Sequence, residues 1–232
     1  KITLADVQTF YAKEYLPNQV SLTIVGDVTV DQATTLVQTY FGSWKKGVVQ
    51  PRTVKKPAAI DKKIVQLIEK DLTQSTIVIG HPGISRTNPD YYAVTVMNHV
   101  LGAGGFSSRL MDTIRDKQGL AYGITSHYDA RALPGSFWIN LQTRTETTNQ
   151  AISGVLAEMK AIREAPVSDQ ELADAKAFLM GSFPLRLDST SKLAQVLAQV
   201  EFFGLGFDYF SQYQKWIERV TKEDVQRVAK QY

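Results

Sequence analysis

The apolar positions of this chain fall into short β-rich runs and longer helical stretches with marked starts. Val20–Val28, VSLTIVGDV, reads as a strand that ends at Gly26-Asp27. Two more runs, near Lys62–Glu69 and Gln74–His81, also predict strands. Leu120–Ala130 and Ser136–Thr143 predict an antiparallel pair joined at Pro134-Gly135. The helices are signalled by their first residues. Thr3 with Asp6, Thr29 with Gln32, Ser168 with Glu171 and Thr221 with Asp224 have the spacing of a capping box, in which each side chain satisfies the other residue's free backbone N–H. Asn88-Pro89 predicts a helix with Asn as N-cap and Pro in the first turn, running to about Leu101 and stopped by Gly102, Gly104 and Gly105. Another helix is predicted over Ser107–Lys117, with Gly119 as its stop. Beyond Thr147 the chain reads as helical almost to its end, broken at Gly204 and Gly206. Strands grouped first and helices after predict an α+β class, an antiparallel β-sheet covered by α-helices, and not an alternating doubly wound fold.

The ends of the chain resemble each other. ITLADVQ at residues 2–8 matches VTKEDVQ at 220–226, with Thr3, Asp6, Val7 and Gln8 repeated as Thr221, Asp224, Val225 and Gln226. Both copies continue to a Lys-x-Tyr, at Lys13–Tyr15 and Lys230–Tyr232. Chance similarity between two short helices is one reading; a duplicated domain of roughly 220 residues is the other. On the second reading the strand and helix that follow Tyr15 have no counterpart after Tyr232, and the chain is expected to be cut from something larger. Ser43 to Ile60 carries Pro51, Pro57 and five basic residues and reads as an exposed linker. The expected division is 1–47 as the helix-strand-helix tail of a preceding homologous domain, 48–60 as linker, and 61–232 as a second domain truncated at its C-terminus.

Composition narrows the function classes. A hydrophobic content of 44% with 10 Phe, 10 Tyr and 3 Trp in 232 residues is enough for a sizeable core. A net charge of +3 argues against a nucleic-acid partner. The absence of Cys removes disulfides, thiolate catalysis and Cys-zinc sites. No apolar run approaches the ~20 residues of a membrane span, and Lys1 leads at once into a helix-like segment with no signal peptide in view.

Two places carry candidate chemistry. Arg115 and Tyr122 stand seven residues apart in RDKQGLAY, with Gly119 between them to turn the chain. Arginine offers a charged planar fork of donors, suited to a carboxylate or a polarised carbonyl. A tyrosine hydroxyl can donate to a developing oxyanion. Spacing alone leaves open a surface pair of Arg115 with Asp112 or Asp116 and a core role for Tyr122. The second place is Gly102–Gly105. A P-loop would need Gly-Lys-Ser/Thr, whereas Gly105 is followed by Phe106-Ser107. A dinucleotide fingerprint needs a preceding strand, and here a helix precedes. The loop therefore reads as a device that lets two helices pack closely.

In order and spacing, several segments resemble the pitrilysin/insulinase zinc metallopeptidases, the inverzincins: Val25-Gly26-Asp27-Val28, Tyr40-Phe41-Gly42, Asn88–Tyr92, GGFSSRL from Gly104 to Leu110, and above all RDKQGLAY. The resemblance spans nearly the whole chain and is nearest to bacterial, processing-peptidase-like members, some of which work in the periplasm; cytoplasm stays open as well. It implies that Arg115 and Tyr122 hold the peptide and stabilise its transition state, and that Gly104, Gly105 and Phe106 touch substrate. The family's zinc motif H-x-x-E-H is absent, and His81, His99 and His127 lie 18 and 28 residues apart with no acid at the required spacing. The resemblance thus implies the non-zinc, C-terminal half of a peptidase, with no metal or cofactor of its own. Its partners would be a zinc-bearing homologous domain or subunit and a peptide substrate, bound as an added strand largely through its backbone, which suits broad specificity. Alone it is expected to hydrolyse nothing. Family members also persist as non-catalytic structural or assembly subunits, which is the alternative.

Overall fold

The computed structural model describes residues 1–50, 54 and 62–232. In chain order its α-helices are α1 (Leu4–Glu14), α2 (Val30–Phe41), α3 (Tyr91–Asn98), α4 (Thr148–Glu164), α5 (Asp169–Gly181), α6 (Thr190–Phe203), α7 (Tyr209–Glu218) and α8 (Lys222–Gln231). The strands are β1 (Gln74–Pro82), β2 (Ile124–Asp129) and β3 (Ser136–Arg144). Most of the expected linker lies outside the described residues. The chain divides into two compact units, one of Lys1–Ala59 with Pro184–Gly206 and one of Ile60–Phe183 with Phe207–Tyr232.

The first unit contains α1, α2 and α6. Thr3–Asp6 and Thr29–Gln32 form the capping boxes that the sequence predicts. Neither α1 nor α2 buries a residue. Leu16 is buried, and a Cβ on Gly47 would stand 2.5 Å from its side chain, so the glycine lets the chain pass over it without displacing that side chain. Asn18 fixes that crossing, donating to the Gly47 carbonyl at 3.1 Å and accepting from the Gly47 N–H at 3.2 Å.

In the second unit the sheet is antiparallel throughout, in the order β1-β3-β2. Alternation along β3 buries Phe137, Ile139, Leu141 and Thr143 on one face. Ile77 and Ile79 of β1 lie opposite Leu141 and Ile139. On the other side Ile124 and Ser126 of β2 lie opposite the same two residues. Helices α3 and α4 pack on the sheet, and α8 packs on both, burying Val225, Val228 and Ala229. Helices α5 and α7 pack on each other and on α3. This is the expected α+β architecture.

Two expected strands do not form. Val20–Val28 and Lys62–Glu69 are irregular. Their β-branched residues favour extended backbone, but a strand also needs a neighbour to complete its ladder, and neither run has one among the described residues. Their apolar side chains stand in solvent; Val65 is 90% exposed. The α3 start also differs from expectation. Asn88 is not the N-cap: its Oδ1 accepts from the Asp90 N–H at 2.8 Å, and the helix begins at Tyr91. The side chain of Asn88 instead donates to the Tyr232 hydroxyl at 3.2 Å. Asp90 accepts from that same hydroxyl at 2.9 Å and from Arg227 at 2.8 Å. The Asn88–Asp90 segment therefore ties α3 to α8.

Candidate functional site

The site is built on the connection between α3 and β2. After Asn98 the helix widens into a π-helical turn, His99–Ala103, with the Gly104 N–H reaching back to the His99 carbonyl at 2.9 Å. Gly102 lies against β2, where a Cβ would meet Ser126 Oγ at 2.6 Å and Leu110 at 2.8 Å. Gly102 thus allows a close approach, but to strand β2 as well as to Leu110, where the sequence predicts two helices packing together. Gly105 turns the chain at φ +59° into a 3-10 turn, Gly105–Ser107. Ser107 Oγ donates to the Gly104 carbonyl at 2.9 Å and Ser108 Oγ to the Gly105 carbonyl at 2.7 Å, which fixes the turn. Phe106, at its tip, is 72% exposed.

The next segment is anchored on both sides. Arg109 donates through Nε and Nη2 to the two carboxylate oxygens of Glu171, at 2.5 and 2.9 Å. Glu171 is also the third residue of α5, where its Oε2 accepts from the Ser168 N–H at 2.7 Å. The Arg109 guanidinium, and then the Ser168 bonds, outweigh burial and hold the Glu171 carboxyl down at about 2. Leu110 and Ile114 are fully buried, and Thr113 donates to Glu158 at 2.9 Å. The helix carrying Arg115 is π-helical from Met111 to Lys117 and ends at Gly119, φ +62°.

Past that glycine the chain alternates sharply in exposure. Leu120 and Ala121 are buried, and Thr143 Oγ1 donates to the Leu120 carbonyl at 2.6 Å. Tyr122 is 93% exposed and lies outside any strand. Its backbone carbonyl accepts from Arg115 Nε at 2.8 Å. Arg115 Nη1 donates to Asp116 at 2.7 Å, so the surface pairing weighed from the sequence does exist, but with Asp116, while Asp112 pairs with Lys117. The Arg115 guanidinium lies 5.0 Å from the Phe106 ring centre and 5.8 Å from that of Tyr122. Arg115, Tyr122 and Phe106 therefore come together, with Gly104 and Gly105 in the turn that presents Phe106. The Arg109–Glu171 tie beneath them was not foreseen; its one trace in the sequence is Glu171 in the capping box.

The histidines do not make a zinc site. His99 is buried and stacked on Phe178 at 4.8 Å, and burial pushes its pKa down. His127 stacks on Trp138 at 3.9 Å and His81 on Phe137 at 4.8 Å. Among the described residues no group of three or more His, Cys, Asp or Glu could hold a metal ion. Among them, too, no helix is long and apolar enough to cross a membrane.

Comparison with known proteins identifies the family. Residues 1–179 match the family model of the peptidase M16 inactive domain. An uncharacterized zinc protease of Streptomyces coelicolor is 29% identical over 99% of this chain and 51% of its own length. A non-peptidase homolog, YmxG, of Helicobacter pylori is 30% identical over 97% of this chain and 52% of its own. The chain spans about half the length of these relatives. The crystal structure of a peptidase M16 inactive domain from Pseudomonas fluorescens superposes with a TM-score of 0.88 at 29% identity, covering 100% of this chain and 55% of that one. The chain belongs to the peptidase M16 inactive domain family, the non-catalytic half of zinc protease-like proteins.

Proposed function

We propose that this chain is the peptide-holding half of an M16 zinc peptidase, closing on a zinc-bearing homologous half and lending it Arg115 and Tyr122. The observation that carries this reading is the bond from Arg115 Nε to the Tyr122 carbonyl, which holds an almost fully exposed tyrosine beside a guanidinium. Arg115 Nη2, which has no hydrogen-bond partner among the described residues, donates to a peptide carbonyl. The Tyr122 hydroxyl donates to the negative charge that develops on the reacting carbonyl oxygen, and this contact strengthens as the charge grows. Gly104, Gly105 and Phe106 line the peptide's path. The zinc-bearing half supplies the metal when assembled.

In the same reading, residues 1–47 are the tail of the preceding homologous domain, 48–60 the linker, and 61–232 the non-zinc domain. The repeat supports this. Val225 and Val228 of α8 are buried on α3 and α4, while their counterparts in α1, Val7 and Phe10, are exposed. α1 thus carries an apolar face that a helix pair resembling α3 and α4 would cover.

The test is Tyr122→Phe in the assembled protein. Turnover falls by about 10²-fold with little change in KM if the hydroxyl stabilises the transition state. Turnover equal to wild type would reject that role. The name of the Helicobacter pylori relative, a non-peptidase homolog, favours a second reading, a structural or assembly subunit that keeps fold and pairing surface only. On that reading Tyr122→Phe changes neither turnover nor assembly.

A further inference from the structure

We propose that the second unit binds a small apolar carboxylate, an acid with an alkyl or aryl body of about eight to ten heavy atoms, in the cavity between the sheet and helices α3, α4 and α8. The site is separate from the one described above: neither Arg115 and Tyr122 nor Gly104, Gly105 and Phe106 line it.

The cavity has a volume of about 250 Å³ and lies wholly within the second unit. Its floor is a single row across the sheet. His81 of β1 and Tyr128 of β2 are both register partners of Phe137 of β3, so the three share one face. The rings of His81 and Tyr128 lie 4.8 and 5.4 Å from that of Phe137. His81 Nδ1 donates to the Pro82 carbonyl at 2.9 Å, which holds its ring in place. The walls are apolar: Met97 and Leu101 from α3 and the turn after it, Met159 and Ile162 from α4, and Ala229 from α8. Two methionines let such a wall adapt to the shape of a guest. At about 30 Å³ for each water-sized group the cavity takes about eight of them, which sets the size of the acid.

The polar groups around this apolar body suit an anion. The Tyr128 hydroxyl is buried and has no hydrogen-bond partner among the described residues. Burial pushes its pKa up to about 12, so it keeps its proton and is a donor without an acceptor. A carboxylate oxygen would satisfy it. Arg163 and Lys230 are exposed at the rim. Neither has an ion pair among the described residues, and the neighbouring acids are engaged elsewhere, Glu164 with Lys160 at 3.7 Å and Asp90 with Arg227 at 2.8 Å. No Asp or Glu lines the cavity. The Gln226 side chain donates to the carbonyls of Arg163 and Glu164 at 3.3 and 3.0 Å, so the ends of α4 and α8 that carry the two cations are tied to each other. An amine with the same apolar body would meet two positive charges and a hydroxyl that needs an acceptor.

The experiment is calorimetric titration of the purified chain with sodium octanoate. Octylamine is the comparator with the same body and a positive head, and butyrate the one with the same head and a short body. Octanoate should bind with a Kd of about 1–10 mM or tighter, and at least about 10-fold tighter than either comparator. Arg163→Gln combined with Lys230→Gln should weaken octanoate by about 5-fold or more, with the ligand-free melting temperature near that of wild type. Tyr128→Phe should weaken it by a similar factor of about 5 without lowering ligand-free stability, because it removes an unsatisfied group and not a made bond. Ala229→Leu fills the cavity without altering a charge and should abolish binding. No octanoate binding, or octylamine binding equally well, overturns the proposal. So does wild-type affinity in the Arg163/Lys230 double variant or in Ala229→Leu, since the acid then sits elsewhere. Wild-type affinity in Tyr128→Phe alone overturns the part assigned to that hydroxyl.

Discussion

Tyr122 is exposed because its neighbours are not. Leu120 and Ala121 are buried, Thr143 pins the Leu120 carbonyl, and Arg115 takes the carbonyl of Tyr122 itself. The Arg115–Tyr122 pair was legible because its spacing lies within one local turn and resembles a known motif. Its support was not: Arg109 and Glu171 stand 62 residues apart, and only folding joins them. That tie makes a pH prediction. Glu171 has its pKa depressed from 4.5 to about 2 in the fold, so its contribution is fully present above the unfolded value and is lost as pH falls through the folded one. Glu171→Gln should lower stability at neutral pH by about 1–3 kcal/mol. Chemical melts from pH 7 to pH 2 should show the gap between wild type and variant closing below about pH 4.5. A gap independent of pH would mean that the charge on Glu171 is not what stabilises.

At the scale of elements, all four capping boxes formed as read, because an N-cap is a local exchange of hydrogen bonds within four residues. The β2–β3 pair and β1 were equally legible from alternation. Two things were not. The segments on either side of the glycine loop are π-helical, and nothing in the apolar pattern distinguishes a bond five residues back from one four back. Val20–Val28 and Lys62–Glu69 have strand-like residues, but strand formation depends on a partner that the local sequence does not specify. The repeated caps give a paired prediction. Thr221→Ala should cost about 1 kcal/mol, since α8 is coupled to the core through Val225 and Val228. Thr3→Ala should leave the main thermal transition almost unmoved, since α1 buries nothing and can fray by itself. Equal losses would show that α1 is coupled to the cooperative core.

For the whole molecule, the missing zinc motif, the three scattered and stacked histidines and the exposed Arg115–Tyr122 pair are what the proposed division of labour rests on. On that proposal this half holds peptide and another half cuts it. Membership in the inactive domain family shows only that the chain is a non-catalytic half. Composition contributed exclusions: no thiol chemistry and too little positive charge for nucleic acid. The most direct test is to assay peptide hydrolysis by the purified chain, alone and with its zinc-bearing half, with zinc and with a chelator. The chain alone should cut nothing under either condition, and the assembly should show zinc-dependent turnover that Arg115→Ala lowers. Chelator-sensitive turnover by the isolated chain, or an assembly indifferent to Arg115, would contradict the account.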